Sequence, residues 1–496
     1  MVLIRALSVN SQSALYVMQP FKRRKNRSQV SGPLVLIDFG STFTKVTAVD
    51  CKAVAVIGRA QSPTTVNEDI AIGLDLAMDE LVKRTGRPEL RHAPRYASSS
   101  AAGGLRMVVC GLVPRLTSEA ARRAALGAGA KVVGVYSYLL NRADVAKIEV
   151  TAPDIVLLCG GTDGGESSVI LRNAQTLAAS TLQCPFVLAA NRSVNDDAAQ
   201  ILREHGRSVY TAANVMPEFG KLEVDPARQA IREVFIKRII QAKGLERVQQ
   251  TLEAPVVPTP MAVLMGAELL ARGHGNEEGL GDLLLVDVGG ATTDIDTVAK
   301  GDPTEDSLVL RGLPEPYVKR TVEGDLGIRF NAVNILEAAG ESMARHVGDN
   351  STNHPPIDLQ RHVHDLRASV QTLPRDEVGE RVDTALARTA VEIAVARHSG
   401  TIEHVHMPDG DVAMQVGKDL RAIQVVIGTG GILAYGKSPR YILEGVRYSA
   451  RDPLSLRPKN PKLFMDSLYI FYATGLLAEV KPEVAIQLQK QTLTAL

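Results

Sequence analysis

Two stretches of this chain, with their aspartates 249 positions apart, use one device twice. LVLIDFGSTFTKVTAVD (34–50) and LLLVDVGGATTDIDTVA (283–299) align without a gap. Each is an apolar strand that runs into Asp-x-Gly, then hydroxyl-bearing residues, then a second strand. Asp38 falls on Asp287, Gly40 on Gly289 and Thr44 on Thr293. A chain that repeats a strand–turn–strand unit at this distance is expected to build two similar α/β domains facing a cleft.

The residue types at the two turns fit a metal–phosphate group. Magnesium typically takes one or two carboxylates and keeps the rest of its shell for water and substrate phosphate. Asp38 and Asp287 suit that division, one from each half, and are the expected metal-binding and catalytic residues. Gly40, Gly289 and Gly290 let backbone approach phosphate oxygens, where free N–H groups form an anion nest. Ser41, Thr42, Thr44, Thr292 and Thr293 are expected to donate to phosphates, and Lys45 to neutralise them. One Asp-x-Gly turn is commonplace; two in register are not.

Each half also has a buried strand entering a glycine cluster. Residues 155–158 run into Gly160-Gly161-Thr162-Asp163-Gly164-Gly165, and residues 425–427 into Gly428-Thr429-Gly430-Gly431. These two stretches are expected to correspond, and the second to lie against a flat adenosine ring. Asp163, Glu323 and Asp325 are weaker candidates for the cleft. Residues 431–438 (GILAYGKS) satisfy the P-loop pattern, but Ile432, Leu433, Ala434 and Tyr435 make a poor phosphate cradle and Pro439 stands where the helix should propagate.

Other elements follow from periodicity and capping. Helices are expected over 71–85, 118–127 (capped by Ser118), 196–205, 225–242, 259–272 and 467–478. Strands are expected over 107–112, 185–190 and 208–210, and a long helical region over 330–398, interrupted by the His-rich segment 348–364. The soft stretch 274–281 marks a boundary. It divides the chain into a basic tail (1–32), a first lobe (33–273), a second lobe (274–466) and a C-terminal helix (467–496) returning to the first. The tail carries six Lys and Arg and no acid; a transit peptide or nucleic-acid arm has that composition, but the expected reading is an unstructured tail or an upstream start codon.

Composition removes several classes of function. A formal net charge of +1 and 4% aromatic residues without Trp speak against a nucleic-acid surface. No apolar run reaches the ~18 residues of a membrane span. Four widely spaced cysteines read as reduced cytoplasmic thiols, not a disulfide framework or zinc site. His354, His362 and His364 belong to no metal or cobalamin-ligand pattern.

DFGSTFTK (38–45) resembles the first phosphate motif of the actin/Hsp70/sugar-kinase ATPase superfamily, DVGGATTD (287–294) the second, and VVIGTGGILAY (425–435) the adenosine motif. The resemblance implies two ribonuclease-H-like domains with ATP and Mg²⁺ between them, and crossing helices at 259–272 and 467–478. GGTDGG (160–165), YVKRTVEGDLG (317–327), PARQAIREVF (226–235) and ARHSG (396–400) further resemble the MutL/GlmL family, over residues 33–490. Its members accompany adenosylcobalamin-dependent aminomutases such as glutamate mutase, which implies an ATP-dependent, chaperone-like reactivating role beside a mutase. In such an ATPase, Asp38 or Asp287 would orient water for in-line attack. A small-molecule kinase of the same fold is the alternative, separated by acceptor-dependent ADP formation. A filament-forming actin relative is a third, separated by ATP-dependent light scattering.

Overall fold

The first Asp-Gly segment forms a hairpin in a computed structural model that describes residues 32–496 apart from 41–42, 66–67, 101–104, 240–244, 314, 348–356, 371–372 and 408–409. The tail through residue 31, Ser41, Thr42 and His354 therefore lie outside the described residues. β1 (Pro33–Phe39) and β2 (Phe43–Asp50) pair antiparallel, and β3 (Ala55–Pro63) adds antiparallel to β2. α1 (Ile70–Thr85) starts where the Asp69 side chain accepts from the Ala71 N–H and ends at Gly86, whose φ of 66° a side chain would resist. β4 (Arg95–Ser99) then returns parallel to β1. β1 is thus central and covered on both faces, which is why its residues 34–37 are uniformly apolar instead of alternating.

Beyond β4 the chain builds a separate sheet. β5 (Arg106–Gly111), α2 (Glu119–Gly127), β6 (Lys131–Ser137), α3 (Arg142–Thr151), β7 (Ile155–Leu158), α4 (Ser168–Ala178), β8 (Phe186–Leu188), α5 (Asn195–Glu204) and β9 (Val209–Thr211) alternate. All five strands are parallel, in the order β6-β5-β7-β8-β9. α2 buries its alanines in the core shared with the first sheet, while α3, α4 and α5 cover the opposite face. α6 (Asp225–Ile239) and α7 (Leu245–Gln249) lead back to β10 (Val257–Pro258), which lies parallel to β4 with Val257 beside Ser98. α8 (Thr259–Arg272) comes at once after it.

The second half repeats the plan. A small hairpin of β11 (Gly273–His274) and β12 (Glu277–Glu278) precedes β13 (Leu283–Val288) and β14 (Thr293–Val298). β15 (Val309–Arg311) comes next, and β16 (Val318–Glu323) then pairs antiparallel with β14. α9 (Ala332–Ala339), α10 (Glu341–Val347), α11 (Leu359–Ala368) and α12 (Glu377–His398) supply the helical layer. β17 (Thr401–Met407) and β18 (Gly410–Val416) form a hairpin that joins β15 in a three-stranded sheet. β19 (Val425–Thr429) lies parallel to β13; α13 (Gly431–Tyr435), α14 (Pro439–Leu443) and β20 (Lys462–Asp466) come next, β20 parallel to β19. α15 (Phe471–Ala478), α16 (Pro482–Thr492) and β21 (Leu493–Ala495) close the chain.

With the additions set aside, the two sheets have the same order: β10-β4-β1-β2-β3 and β20-β19-β13-β14-β16. Each has three antiparallel strands followed by two parallel ones, the ribonuclease-H-like arrangement, present twice. After the last parallel strand of each comes a helix, α8 or α15, and these two cross closely. A Cβ on Gly475 would lie 1.7 Å from the Ala262 carbonyl oxygen, so the backbones touch.

Three expectations need correction, and one element adds to them. The counterpart of the strand that opens residues 425–431 is β4, since both β4 and β19 lie parallel to the first strand of their hairpin; residues 155–165 belong to the inserted parallel sheet. Ser118 does not cap α2: it ends a single π-type turn (Pro114–Ser118), and its hydroxyl contacts Ser137 at 2.8 Å. Residues 359–364, expected as part of an interruption, are the start of α11. The hairpin over 401–416 was not expected at all.

Candidate functional site

Both Asp-Gly turns close in the same way. The Gly40 N–H donates to the Phe43 carbonyl (3.1 Å), and the Gly289 N–H to the Thr292 carbonyl (2.9 Å). A Cβ would stand 2.7 Å from the acceptor oxygen at Gly40 and 3.0 Å at Gly289, so a side chain at either position would push the turn open.

The two carboxylates sit in opposite surroundings. Asp38 is 2% exposed, and both of its oxygens are engaged. Its Oδ1 accepts from Thr259 Oγ1 (2.6 Å) and Ser98 Oγ (3.3 Å), and its Oδ2 from Lys45 Nζ (3.1 Å). Thr259 is the first residue of α8, so the crossing helix is tied directly to the first turn. Asp287 is partly exposed, and among the described residues no hydrogen bond reaches its carboxylate. Directly across the hairpin stands Asp294, a like charge where the first hairpin has Lys45 opposite Asp38. Burial first, and then Asp294, push the Asp287 carboxyl up to about 7; Lys45 opposes the shift, and Asp38 and Asp466 add to it. Asp287 therefore shares one electrostatic environment with Asp38 and Lys45.

Like charges directly opposite on a hairpin are destabilising unless something offsets them. Arg320 does so in part, its Nη2 donating to Asp294 Oδ2 at 2.7 Å. Asp294 Oδ1 remains buried with no partner among the described residues. A half-open carboxylate without hydrogen bonds, beside a second acid with an orphaned oxygen, suits a cation. No group of three or more His, Cys, Asp or Glu among the described residues is placed to enclose a metal. The donor set thus fits Mg²⁺ held by one or two carboxylates and by phosphate, not a protein cage.

Other candidate residues divide by where strand alternation turns them. Lys45 turns to the same side as Asp38, its side chain only partly exposed; burial works against its charge, but the Tyr469 hydroxyl, Asp38 and Tyr472 outweigh that and hold its pKa well above the usual value. Thr44 and Thr293, expected as phosphate donors, point into the core. The Thr44 hydroxyl contacts Thr64 (3.1 Å), and Thr293 donates to the Leu326 carbonyl (2.8 Å). Thr292 and Gly290 remain at the turn, where the Gly290 carbonyl accepts from Arg329 and Phe330 N–H. Gly428 is buried, a Cβ there meeting Leu443 and Leu433, so its role is packing. Thr429 spends its hydroxyl on Asp466 (3.0 Å). Gly430 (φ 107°) lies against the second turn, where a Cβ would be 2.4 Å from the Val288 carbonyl and 3.0 Å from Asp287 Oδ1. Gly431 begins α13 with open space before it.

The weaker candidates are engaged elsewhere. Asp163, in the loop after β7, accepts from Arg192 N–H (3.0 Å) and Asn214 Nδ2 (2.9 Å). Glu323 and Asp325 share Arg397, at 2.7 and 2.9 Å. Burial outweighs Arg397 at Glu323 and raises its pKa, whereas at Asp325 Arg397 outweighs burial and lowers it. In the P-loop-like string, Leu433 is buried and Lys437 pairs with Glu380 at 2.6 Å, which rules out a phosphate cradle there.

Sequence reasoning missed Ser98, Thr259, Asp294, Asp466, Tyr469 and Tyr472. Asp466 ends an apolar strand, as Asp38 and Asp287 do, and that was a signal. Its carboxylate accepts from the Ile470 and Phe471 N–H groups and from Thr429. Burial outweighs these bonds and raises its pKa.

Among known proteins, the family model described as MutL protein matches residues 34–493. A curated relative, Protein MutL of Clostridium tetanomorphum, is 42% identical over 460 residues, which is 92% of this chain and 98% of the relative. Solved structures superimpose only loosely. Plasmodium falciparum glycerol kinase with ADP is 11% identical at a TM-score of 0.34, covering 92% of each chain. A glycerol dehydratase reactivase is 12% identical at 0.31, covering 90% of this chain and 99% of that one.

Proposed function

Since this chain belongs to the MutL protein family, we propose that it is an ATP-binding and ATP-hydrolysing accessory factor that reactivates an adenosylcobalamin-dependent mutase in the cytoplasm. The partner is the one the family resemblance implies. One arrangement carries the nucleotide half of this proposal: two like sheets each present an aspartate on the same glycine turn, and the two acids and Lys45 share one space. Residues 33–273 and 274–466 are taken as the lobes, with residues 467–496 returning to the first.

In this scheme Asp287, with Asp294 behind it, holds Mg²⁺, and Lys45 meets phosphate oxygens. With the Gly289 N–H spent on closing the turn, the N–H of Gly290 and the hydroxyl of Thr292 complete the phosphate contacts; Gly430 and Gly431 lie where the adenosine passes. Mg²⁺ would supply charge neutralisation on the phosphates. Asp38, pinned by Thr259, Ser98 and Lys45, is the less available of the two acids for a metal, and the lone pair left on its Oδ2 would serve to orient water. ATP bridging the lobes favours their closed arrangement only by binding it more tightly than the open one.

The test is pull-down from native extract with the full chain, with and without MgATP, alongside calorimetry with MgATP and MgADP. Recovery of a radical mutase that depends on nucleotide supports the proposal. Uptake of nucleotide with no mutase recovered would leave the ATP site and remove the partner. Folded protein that takes up neither nucleotide would remove both.

A further inference from the structure

Lys45 rests its charge on two tyrosines from the far end of the chain. Its Nζ lies 3.1 Å from Asp38 Oδ2, 4.3 Å from the centre of the Tyr469 ring and 5.7 Å from that of Tyr472. Tyr472, on α15, is buried, and its hydroxyl is 3.0 Å from Thr47 Oγ1 on the lysine's own strand. Tyr469 sits in the turn between β20 and α15 with a φ of 49°, a conformation that bulky side chains rarely adopt. Asp466 holds that turn: its carboxylate takes the Ile470 and Phe471 N–H groups, and its carbonyl takes the Tyr469 N–H at 3.0 Å. Tyr435 packs edge-on against Tyr469, with ring centres 6.4 Å apart. The backbone is thus fixed in an uncommon state, and the result is a ring placed on an ammonium group.

A ring face attracts a cation without accepting its hydrogen bonds. An ammonium has three N–H donors, and Asp38 accepts one of them. A second carboxylate in the place of Tyr469 would neutralise the charge; the tyrosine, even with its hydroxyl within hydrogen-bonding reach of the ammonium, leaves the charge in place and one of the three donors unspent. Lysine's stem is flexible, so with Asp38 alone the ammonium would be free to swing or to collapse onto the acid.

We propose that Tyr469 is a positioning residue of the phosphate site: its ring face holds the Lys45 ammonium beside Asp38, with a donor free for the phosphates of a nucleotide. This rests on MgATP being the ligand of the cleft. It adds a residue from the second sheet's last connection to a site built on the first hairpin.

The experiment is calorimetric titration of MgATP into the full-length protein, Tyr469→Phe and Tyr469→Leu, with thermal unfolding of each. Tyr469→Leu is expected to bind roughly two- to thirty-fold more weakly, the range of a cation–π contact from exposed to desolvated. Tyr469→Phe keeps the ring face and is expected to stay within about twofold of wild type. If the leucine variant does not fold, Tyr469→Asn, which tolerates the left-handed backbone, takes its place with the same expectation. A ringless variant that binds as well as wild type overturns the role of Tyr469 alone, as does a phenylalanine variant as weak as the leucine one. Wild-type protein that takes up no MgATP overturns the nucleotide reading and this proposal with it.

Discussion

The two Asp-Gly hairpins have the same turn, the same glycine contact and the same register, yet they differ at one facing position. Opposite Asp38 stands Lys45; opposite Asp287 stands Asp294. The first hairpin therefore brings its own cation and fills its carboxylate with bonds from Thr259 and Ser98. The second sets two acids against each other, with Arg320 on only one oxygen of the pair. A duplicated fold supplies two equivalent carboxylates, and what lies across the hairpin decides what each can do. One is part of the framework; the other has room for a metal ion.

The largest expected effect comes from breaking the engaged side. Asp38→Ala strands the Lys45 ammonium and the Thr259 and Ser98 hydroxyls, and should cost about 2–4 kcal/mol in urea unfolding of the ligand-free protein. Next comes the metal side: Asp287→Ala should weaken MgATP by about thirty-fold or more and leave ATP in EDTA nearly unchanged. An equal loss in both conditions would mean that Asp287 does not serve the metal.

The same residue predicts a gain. With its folded pKa raised to about 7 from an unfolded value near ~3.9, Asp287 penalises folding fully above pH 7. That penalty fades as the pH falls from 7 towards 4, because the native state then takes up the proton. Asp287→Asn should therefore stabilise the ligand-free protein by on the order of 1–2 kcal/mol at pH 8, and by progressively less below pH 7. A variant less stable than wild type at pH 8 would show that Asp287 is satisfied after all. Removing the opposing charge by Asp294→Asn should move Asp287 back towards the ordinary carboxylate range, which NMR titration of its side chain would record.

The smallest effect is a fraction of a proton. MgATP binding at pH 7 should release about half a proton from Asp287, falling towards zero by about pH 8.5. Calorimetry in buffers of different ionisation enthalpy measures this directly, and Asp287→Asn should abolish it.

The hairpins were legible because the alignment runs without a gap and carries the pairing with it. Lys45 falls on Asp294 in that same alignment, so even the charge difference was present in the letters. Its meaning needed the register that places each residue opposite its aspartate. β7 was assigned to the wrong sheet because a short buried strand entering glycines suits either kind of sheet, and only its parallel neighbours β5 and β8 decide between them. Thr44 and Thr293 look like any hydroxyl beside a phosphate turn; a strand's inward and outward faces depend on where it starts, and one residue reverses them. The 401–416 hairpin did have a signal, alternating residues on either side of Asp409-Gly410. Thr259 and Tyr469 had none, since they reach Asp38 and Lys45 across more than two hundred residues of chain.

The inserted parallel sheet leaves the first ribonuclease-H-like sheet after β4 and returns at β10, and Val257 of β10 lies beside Ser98 of β4. Entrance and exit are thus neighbours on one edge, like the two pins of a plug. Such a module can be lengthened, trimmed or exchanged while the hairpins and the α8–α15 crossing keep their geometry. A lineage can in this way exchange the inserted sheet and keep the two hairpins and the framework around them unchanged.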